Sequence, residues 1–201
     1  SLSVFSQTTD WVKSFGGTAS DKGISIGTDS LGFIYISGYF NNEATFGGIT
    51  LTNSPLSTSG NNKENFVAKL DPTGNVLWAI AGGNLGYSCC DDRALGMHVT
   101  PGGDVFITGT FWSSYNLGPL SVTQNAWGTA LNSSDNSLLA KIDKNGTPQW
   151  VIGFGADEGA GSGPDCPYPI YDADDASYDV KVDDDGFIYV TGFFSGVSAE
   201  F

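Results

Sequence analysis

Three aspartates occupy matching places in this chain. Asp21, Asp92 and Asp175 each open a twelve-residue block that closes on glycine: DKGISIGTDSLG, DRALGMHVTPGG and DASYDVKVDDDG. Recurring carboxylates of this kind have two possible uses. Gathered near a common axis, with Asp91 and Asp174 beside two of them, they form an acidic ring able to coordinate Ca²⁺ or another oxygen-seeking cation. Kept apart, each caps backbone N–H groups in the segment leading into its own block. Capping is the favoured role, because every repeat would need the same cap.

A second set of candidates does not recur. Trp112, Tyr115, Trp127, Tyr168 and Tyr171 are aromatic rings in the connecting stretches. Rings on exposed loops stack on sugar faces or anchor a protein partner. Their plainer use is to pack long loops onto the strands beneath. Cys89, Cys90 and Cys166 allow one disulfide with a thiol left over, which points to an oxidising compartment. Cys166 joined to Cys89 or Cys90 would clip two connections together; a vicinal disulfide or three free thiols are the alternatives. No His or CxxC partner stands near them for a metal site.

Catalysis finds little to work with. His98 is the single histidine, at a position where the sister blocks carry Gly27 and Lys181. No Ser-His-Asp set, P-loop or zincin motif is present. VDDDG lacks the spaced ligands and distal Glu of a calcium loop and reads as a turn. The sequons at Asn132 and Asn145 carry glycans only in a host that modifies such sites.

These residues must be positioned by something, and the same blocks show what it is. Between Asp and Gly, apolar or β-compatible residues alternate: Ile24 and Ile26; Leu95, Met97 and Val99; Tyr178, Val180 and Val182. Period two is the mark of a strand. Each block runs on into FIYISG, DVFITG or FIYVTG, so strand, glycine turn and strand make a hairpin. A second hairpin is written twice, as NFVAKLDPTGNVLWAIAGG and LLAKIDKNGTPQWVIGFG. The expected strands are A (22–28, 94–100, 177–182), B (33–40, 104–110, 187–193), C (65–70, 137–142) and D (75–81, 147–153). Four antiparallel strands per period of about seventy residues suit a β-propeller blade, and small sheets of this kind must stack on one another to cover their faces.

Three features recur in order: a tryptophan followed by glycine (WVKSFGG, WAIAGG, WVIGFG), the Asp-led hairpin ending in [ST]-G, and the A-K-[LI]-D-x-x-G phrase. Together they resemble the bacterial seven-bladed β-propeller (SBBP) repeat over roughly residues 10–201. The second block departs with Pro-Gly-Gly at its turn. The third departs with a lone Gly155 and a long insertion. Both affect local turn geometry. The resemblance implies an all-β propeller of four-stranded antiparallel blades. Residues 1–20 would be an outer strand and crossing loop, 21–81 and 92–153 two blades, and 175–201 half of a third. Trp11, Trp78 and Trp150 would pack between blades at matching outer-strand positions. The remaining blades would follow in a longer chain or come from another one.

In that arrangement the short turns share one face, and the connections 41–64, 111–136 and 154–174 share the other. Long connections on a rigid scaffold are the usual seat of recognition. Eight basic and twenty-two acidic residues give a formal charge of −14, which repels nucleic acid and anionic lipid. No stretch is long enough to insert across a membrane, and SLSVFSQ lacks the charged start of a signal peptide. The expected protein is a secreted or cell-surface structural or adhesive module with a protein or glycan ligand. It needs no cofactor, Ca²⁺ aside, and is not an enzyme. The alternative is the non-catalytic part of a propeller hydrolase or lyase whose active site lies in absent blades.

Overall fold

A computed structural model describes residues 10–53, 63–84, 92–112, 114–123, 135–157, 175–194 and 198–200. The first repeat holds β1 (Lys22–Thr28), β2 (Ile34–Asn41), β3 (Glu43–Phe46), β4 (Ile49–Thr52), β5 (Lys63–Leu70) and β6 (Val76–Gly83). The second holds β7 (Arg93–Val99), β8 (Val105–Trp112), β9 (Ser114–Leu117), β10 (Leu120–Thr123), β11 (Asp135–Ile142) and β12 (Pro148–Asp157). The third begins with β13 (Ala176–Val182), β14 (Ile188–Phe193) and β15 (Ser198–Glu200). Every pairing is antiparallel and the described residues contain no helix. The main strands fall close to the spans that alternation predicts.

Within a repeat the long strands form a meander, β1-β2-β5-β6 in the first and β7-β8-β11-β12 in the second. The connections B to C differ from the expected loops. Each opens with a short hairpin, β3–β4 or β9–β10, turned by Gly47 (φ 61°) or Gly118 (φ 58°). These hairpins are clips. In β9, Asn116 pairs with Gly83 at the end of the preceding repeat's outer strand; in β15, Glu200 pairs with Gly155 in the same way. Thr45 of β3 bridges Gly16 at the corresponding place. Among the described residues 10–20 that bridge is all the regular pairing. The outer strand expected within residues 1–20 is absent among the described residues 10–20.

The repeats stack through their hydrophobic faces. One core joins Tyr35 and Val67 of the first repeat to Met97, Ile107 and Leu138 of the second. Another joins Phe106 and Leu139 of the second to Val180 of the third. Trp78 completes the first of these junctions at the periphery, and Trp11 makes the matching contact on the first repeat. Each ring lies over a positive-φ turn glycine of the next repeat, Gly74 or Gly146, and its Nε1–H donates to a turn carbonyl, Pro72 O at 3.0 Å or Lys144 O at 3.2 Å. Trp150 instead meets Phe106 edge-on at 5.9 Å. All three indoles are half-buried, less covered than the sequence suggests.

The hairpin turns share one chemistry. Asp29, Asp71, Asp143 and Asp183 each accept backbone N–H donors two and four residues ahead, as with Thr73 N at 2.8 Å and Asn75 N at 2.9 Å on Asp71. Where the second repeat has Pro-Gly-Gly, the Thr100 hydroxyl accepts the Asp104 N–H instead. The Thr73 hydroxyl, then the N–H and amide of Asn75, hold Asp71 down at a pKa of about 2. A carboxylate lowered on folding stabilises above its unfolded pKa and loses that contribution as pH falls toward the folded value. Asp71→Ala is therefore expected to be less stable than the parent at pH 6, with the gap closing as pH approaches 2. A gap that is constant over this range in denaturant titrations would contradict the turn's role.

Candidate functional site

The strand registers put both kinds of connection where the sequence expects them. Asn41 pairs with Lys63 and Asn65 with Gly82, so the long connections leave and enter the sheets at one end. The tight turns lie at the other. The three repeated aspartates sit at the long-connection end.

Each aspartate is a pin between neighbouring repeats. Asp92 accepts the Asn84 N–H on Oδ2 at 2.6 Å and the Trp112 N–H on Oδ1 at 3.0 Å, one from the preceding outer strand and one from its own repeat. Asp21 accepts Gly17 N–H at 2.5 Å and Asn41 N–H at 3.2 Å from the corresponding positions. The backbone N–H of Asp92 and of Asp175 donates across the junction to Lys63 O and Asp135 O, both at 2.9 Å. The Gly16, Gly83 and Gly155 positions admit these carboxylates: a Cβ at Gly83 would stand 3.2 Å from Asp92 Oδ2, and one at Gly155 would collide with Asp175 Oδ2.

That geometry is capping, and it does not gather the aspartates. Among the described residues no group of three or more His, Cys, Asp or Glu side chains is placed to hold a metal ion. Asp92 and Asp175 are fully buried and Asp21 is half-buried. Burial raises the Asp92 pKa well above the usual carboxylate range; the two N–H donors oppose this, and Glu64 and Asp135 add to it.

Trp11 over the neighbouring turn, Gly16, the Asp21 pin and the hairpin closing at Gly38 follow one another along the chain. Residues 10–42 match the SBBP family model, the beta-propeller repeat. The matched segment covers the stretch before β1 and the β1–β2 hairpin, so it contains both sides of the Asp21 pin. No curated protein matches the chain.

The aromatic candidates divide. Tyr115 is no exposed loop ring. It lies in β9, fully buried, edge-on to Phe111 at 6.2 Å, with its hydroxyl accepting Asn65 Nδ2–H at 2.5 Å. It fits there because Gly82 leaves the space its hydroxyl fills. Trp112 is half-buried at the end of β8, and its backbone oxygen accepts Asn84 Nδ2–H at 3.1 Å. Trp127, Tyr168, Tyr171, Cys89, Cys90 and Cys166 lie outside the described residues, as do Asp91 and Asp174 of the expected acidic ring.

Sequence reasoning missed a feature at the tight-turn end, where it placed only the short turns. A cavity of about 770 Å³ opens there among the turns of three successive hairpins. Asp29 and Ser30, His98 and Thr100, and Asp183 and Asp184 line it. Phe106 and the Asp104–Lys141 ion pair, 2.7 Å apart, line its second-repeat wall. Burial pushes the His98 pKa down and Lys181 adds to this, with Asp179 opposing. The only signal in the sequence was that the turns, alike in shape, differ in side chains from repeat to repeat.

Proposed function

We propose that the stacked meanders are blades of a β-propeller, and that the chain serves as a secreted or cell-surface binding module. Its ligand, a protein or a glycan, meets the end from which the long connections emerge. The observation that carries this reading is the register, which delivers every long connection to one end of a scaffold pinned by Asp21, Asp92 and Asp175. A rigid frame with variable connections on one face is the arrangement through which repeat proteins recognise partners. The acidic surface excludes polyanions as partners of choice. The described residues contain no helix long and apolar enough to cross a membrane.

The test is a binding screen of the immobilised chain against glycans and extracellular proteins, followed by a triple variant carrying Trp127→Ala, Tyr168→Ala and Tyr171→Ala. Aromatic anchors at a binding face each contribute on the order of 1–2 kcal/mol, so a loss of at least about tenfold is expected. Binding that survives the triple variant but fails in His98→Ala/Lys141→Ala would move the site to the opposite end. Turnover of a bound glycan would favour the hydrolase or lyase reading.

A further inference from the structure

The turn-end cavity has its cause inside the three hairpins that surround it. Position by position, Asp29, Thr100 and Asp183 match, as do Ser30, Pro101 and Asp184. The first turn clasps the second, because the Ser30 N–H and hydroxyl both donate to Pro101 O, at 3.2 and 2.8 Å. Pro101 has neither an N–H nor a hydroxyl, so the second turn cannot clasp the third in the same way. The packing behind the clasp changes as well. At the first junction the Tyr35 hydroxyl donates to Asp29 Oδ2 at 3.0 Å, and the pair closes on Gly103. A Cβ at Gly103 would stand 2.6 Å from Tyr35 Oη and 3.2 Å from Asp29 Oδ2. The second repeat carries Phe106 and Thr100 in those two places, without the hydroxyl and without the carboxylate. The resulting space of about 770 Å³ lies within the roughly 300–1,000 Å³ of small-molecule sites.

The lining decides what this space can hold. Asp29 and Asp183 are committed to their own turns, each accepting two backbone N–H groups and a tyrosine hydroxyl, and Asp104 is paired with Lys141. Among the described residues, Asp184 is the lining carboxylate left open to a ligand. Near it stand the Thr100 hydroxyl and His98, a side chain the first repeat lacks, since Gly27 holds its place. Burial, then Lys181, lower the His98 pKa, so near pH 7 one ring nitrogen donates and the other accepts. Pro101 and Val182 add apolar surface between the polar groups. An anion is repelled by Asp184, and a metal ion lacks a third ligand among the described residues. A ring bearing several hydroxyls finds acceptors, donors and apolar surface together. We propose that the cavity binds a neutral polyhydroxylated ligand of the size of a sugar unit. Asp184 accepts from its hydroxyls, His98 bonds a further one, and Pro101 and Val182 cover its C–H face. This site is separate from the long-connection end proposed above, and neither reading needs the other.

Isothermal titration calorimetry decides it, using the 201-residue chain, Asp184→Ala and the double variant Thr100→Asp/Phe106→Tyr. The probes are glucose, galactose, mannose and N-acetylglucosamine, with putrescine and inorganic phosphate alongside. At least one sugar is expected to bind the parent with a millimolar or lower Kd. Asp184→Ala should weaken that binding at least about tenfold, as expected for one hydrogen bond to a charged group. The double variant rebuilds the first junction's Asp29–Tyr35 pair at the second, fills the cavity and should abolish binding. Circular dichroism reports whether it folds; if it does not, Asp184→Ala decides alone, since Asp184 is exposed on a turn. A parent that binds none of the four sugars, or that prefers putrescine or phosphate to all of them, would overturn the proposal. So would sugar binding that both variants leave unchanged. If that binding is then lost in the Trp127, Tyr168 and Tyr171 triple variant, the sugar belongs to the long-connection end and the earlier reading stands by itself.

Discussion

Gly109→Ala is expected to lower the melting temperature by about 10 °C or to prevent folding altogether. The cause is a β-bulge. In β7 the register slips between Ala94 and Gly96, and the strand opposite must approach closely at Gly109. A methyl group there would sit well inside van der Waals contact of the Arg93 carbonyl oxygen. The obstacle is backbone in the middle of a stacked sheet, so no side-chain rotation relieves it. Overpacking of this kind costs about 3 kcal/mol or more, and each kcal/mol lowers the melting point of a chain this size by roughly 2–4 °C. Two comparisons sharpen the test. Gly192→Ala meets the Ala176 carbonyl oxygen in the same way, but among the described residues β13 and β14 pair only with each other and have room to shift, so its cost should be smaller. Gly102→Ala, whose nearest neighbour would be Thr100 Oγ1 at 3.9 Å, should be near neutral. A Gly109→Ala variant melting within a few degrees of the parent would show that the bulge is not rigid.

The same bulge shows how far the sequence could be read. The glycine ending ISG, ITG and VTG is plain in the letters, and alternation leads from it to a strand. Its reason is not visible there. Gly38, Gly109 and Gly192 face bulges at Gly23/Ser25, Ala94/Gly96 and Ser177/Asp179, and only the register exposes that correspondence. The clip hairpins were hidden for another reason. ITLT and LSVT have four residues each and are half polar, too short to establish a period.

Tyr115 looked functional because it does not recur, yet its singularity is an exchange of volume across a junction. At the first junction the outer segment carries Phe15 and the clip carries Ala44. At the second the aromatic ring has moved to the clip as Tyr115, and Gly82 stands where Phe15 did. Residues that compensate each other across a junction look like unrelated oddities until the strands are paired. The turn-end cavity escaped for a similar reason. Its lining comes from three turns far apart in the sequence, each of them ordinary by itself.

Asp92→Ala is expected to cost about 3 kcal/mol, and the pH dependence of that loss distinguishes a pin from an ordinary cap. The substitution removes the acceptor for the Asn84 and Trp112 N–H groups in a place that is 1% exposed. Water cannot readily replace it, and each buried donor left without a partner costs roughly 1–3 kcal/mol. Asp21→Ala removes the same two kinds of bond at a half-buried site, where solvent reaches the freed donors, and should cost clearly less. The Asp92 carboxyl has its pKa raised by burial, so its protonated form suits the fold better. Its contribution is greatest at low pH and declines as pH rises from the unfolded carboxylate value through the raised one. Asp92→Ala should therefore lose more relative to the parent at pH 5 than at pH 8, a slope opposite in sign to that of Asp71→Ala. Equal losses for Asp92→Ala and Asp21→Ala would remove the distinction between the buried and the half-buried pin. A rise in parent melting temperature on adding Ca²⁺, absent in Asp92→Ala, would return the aspartates to the cation reading, because a carboxylate serving only backbone donors has no such response.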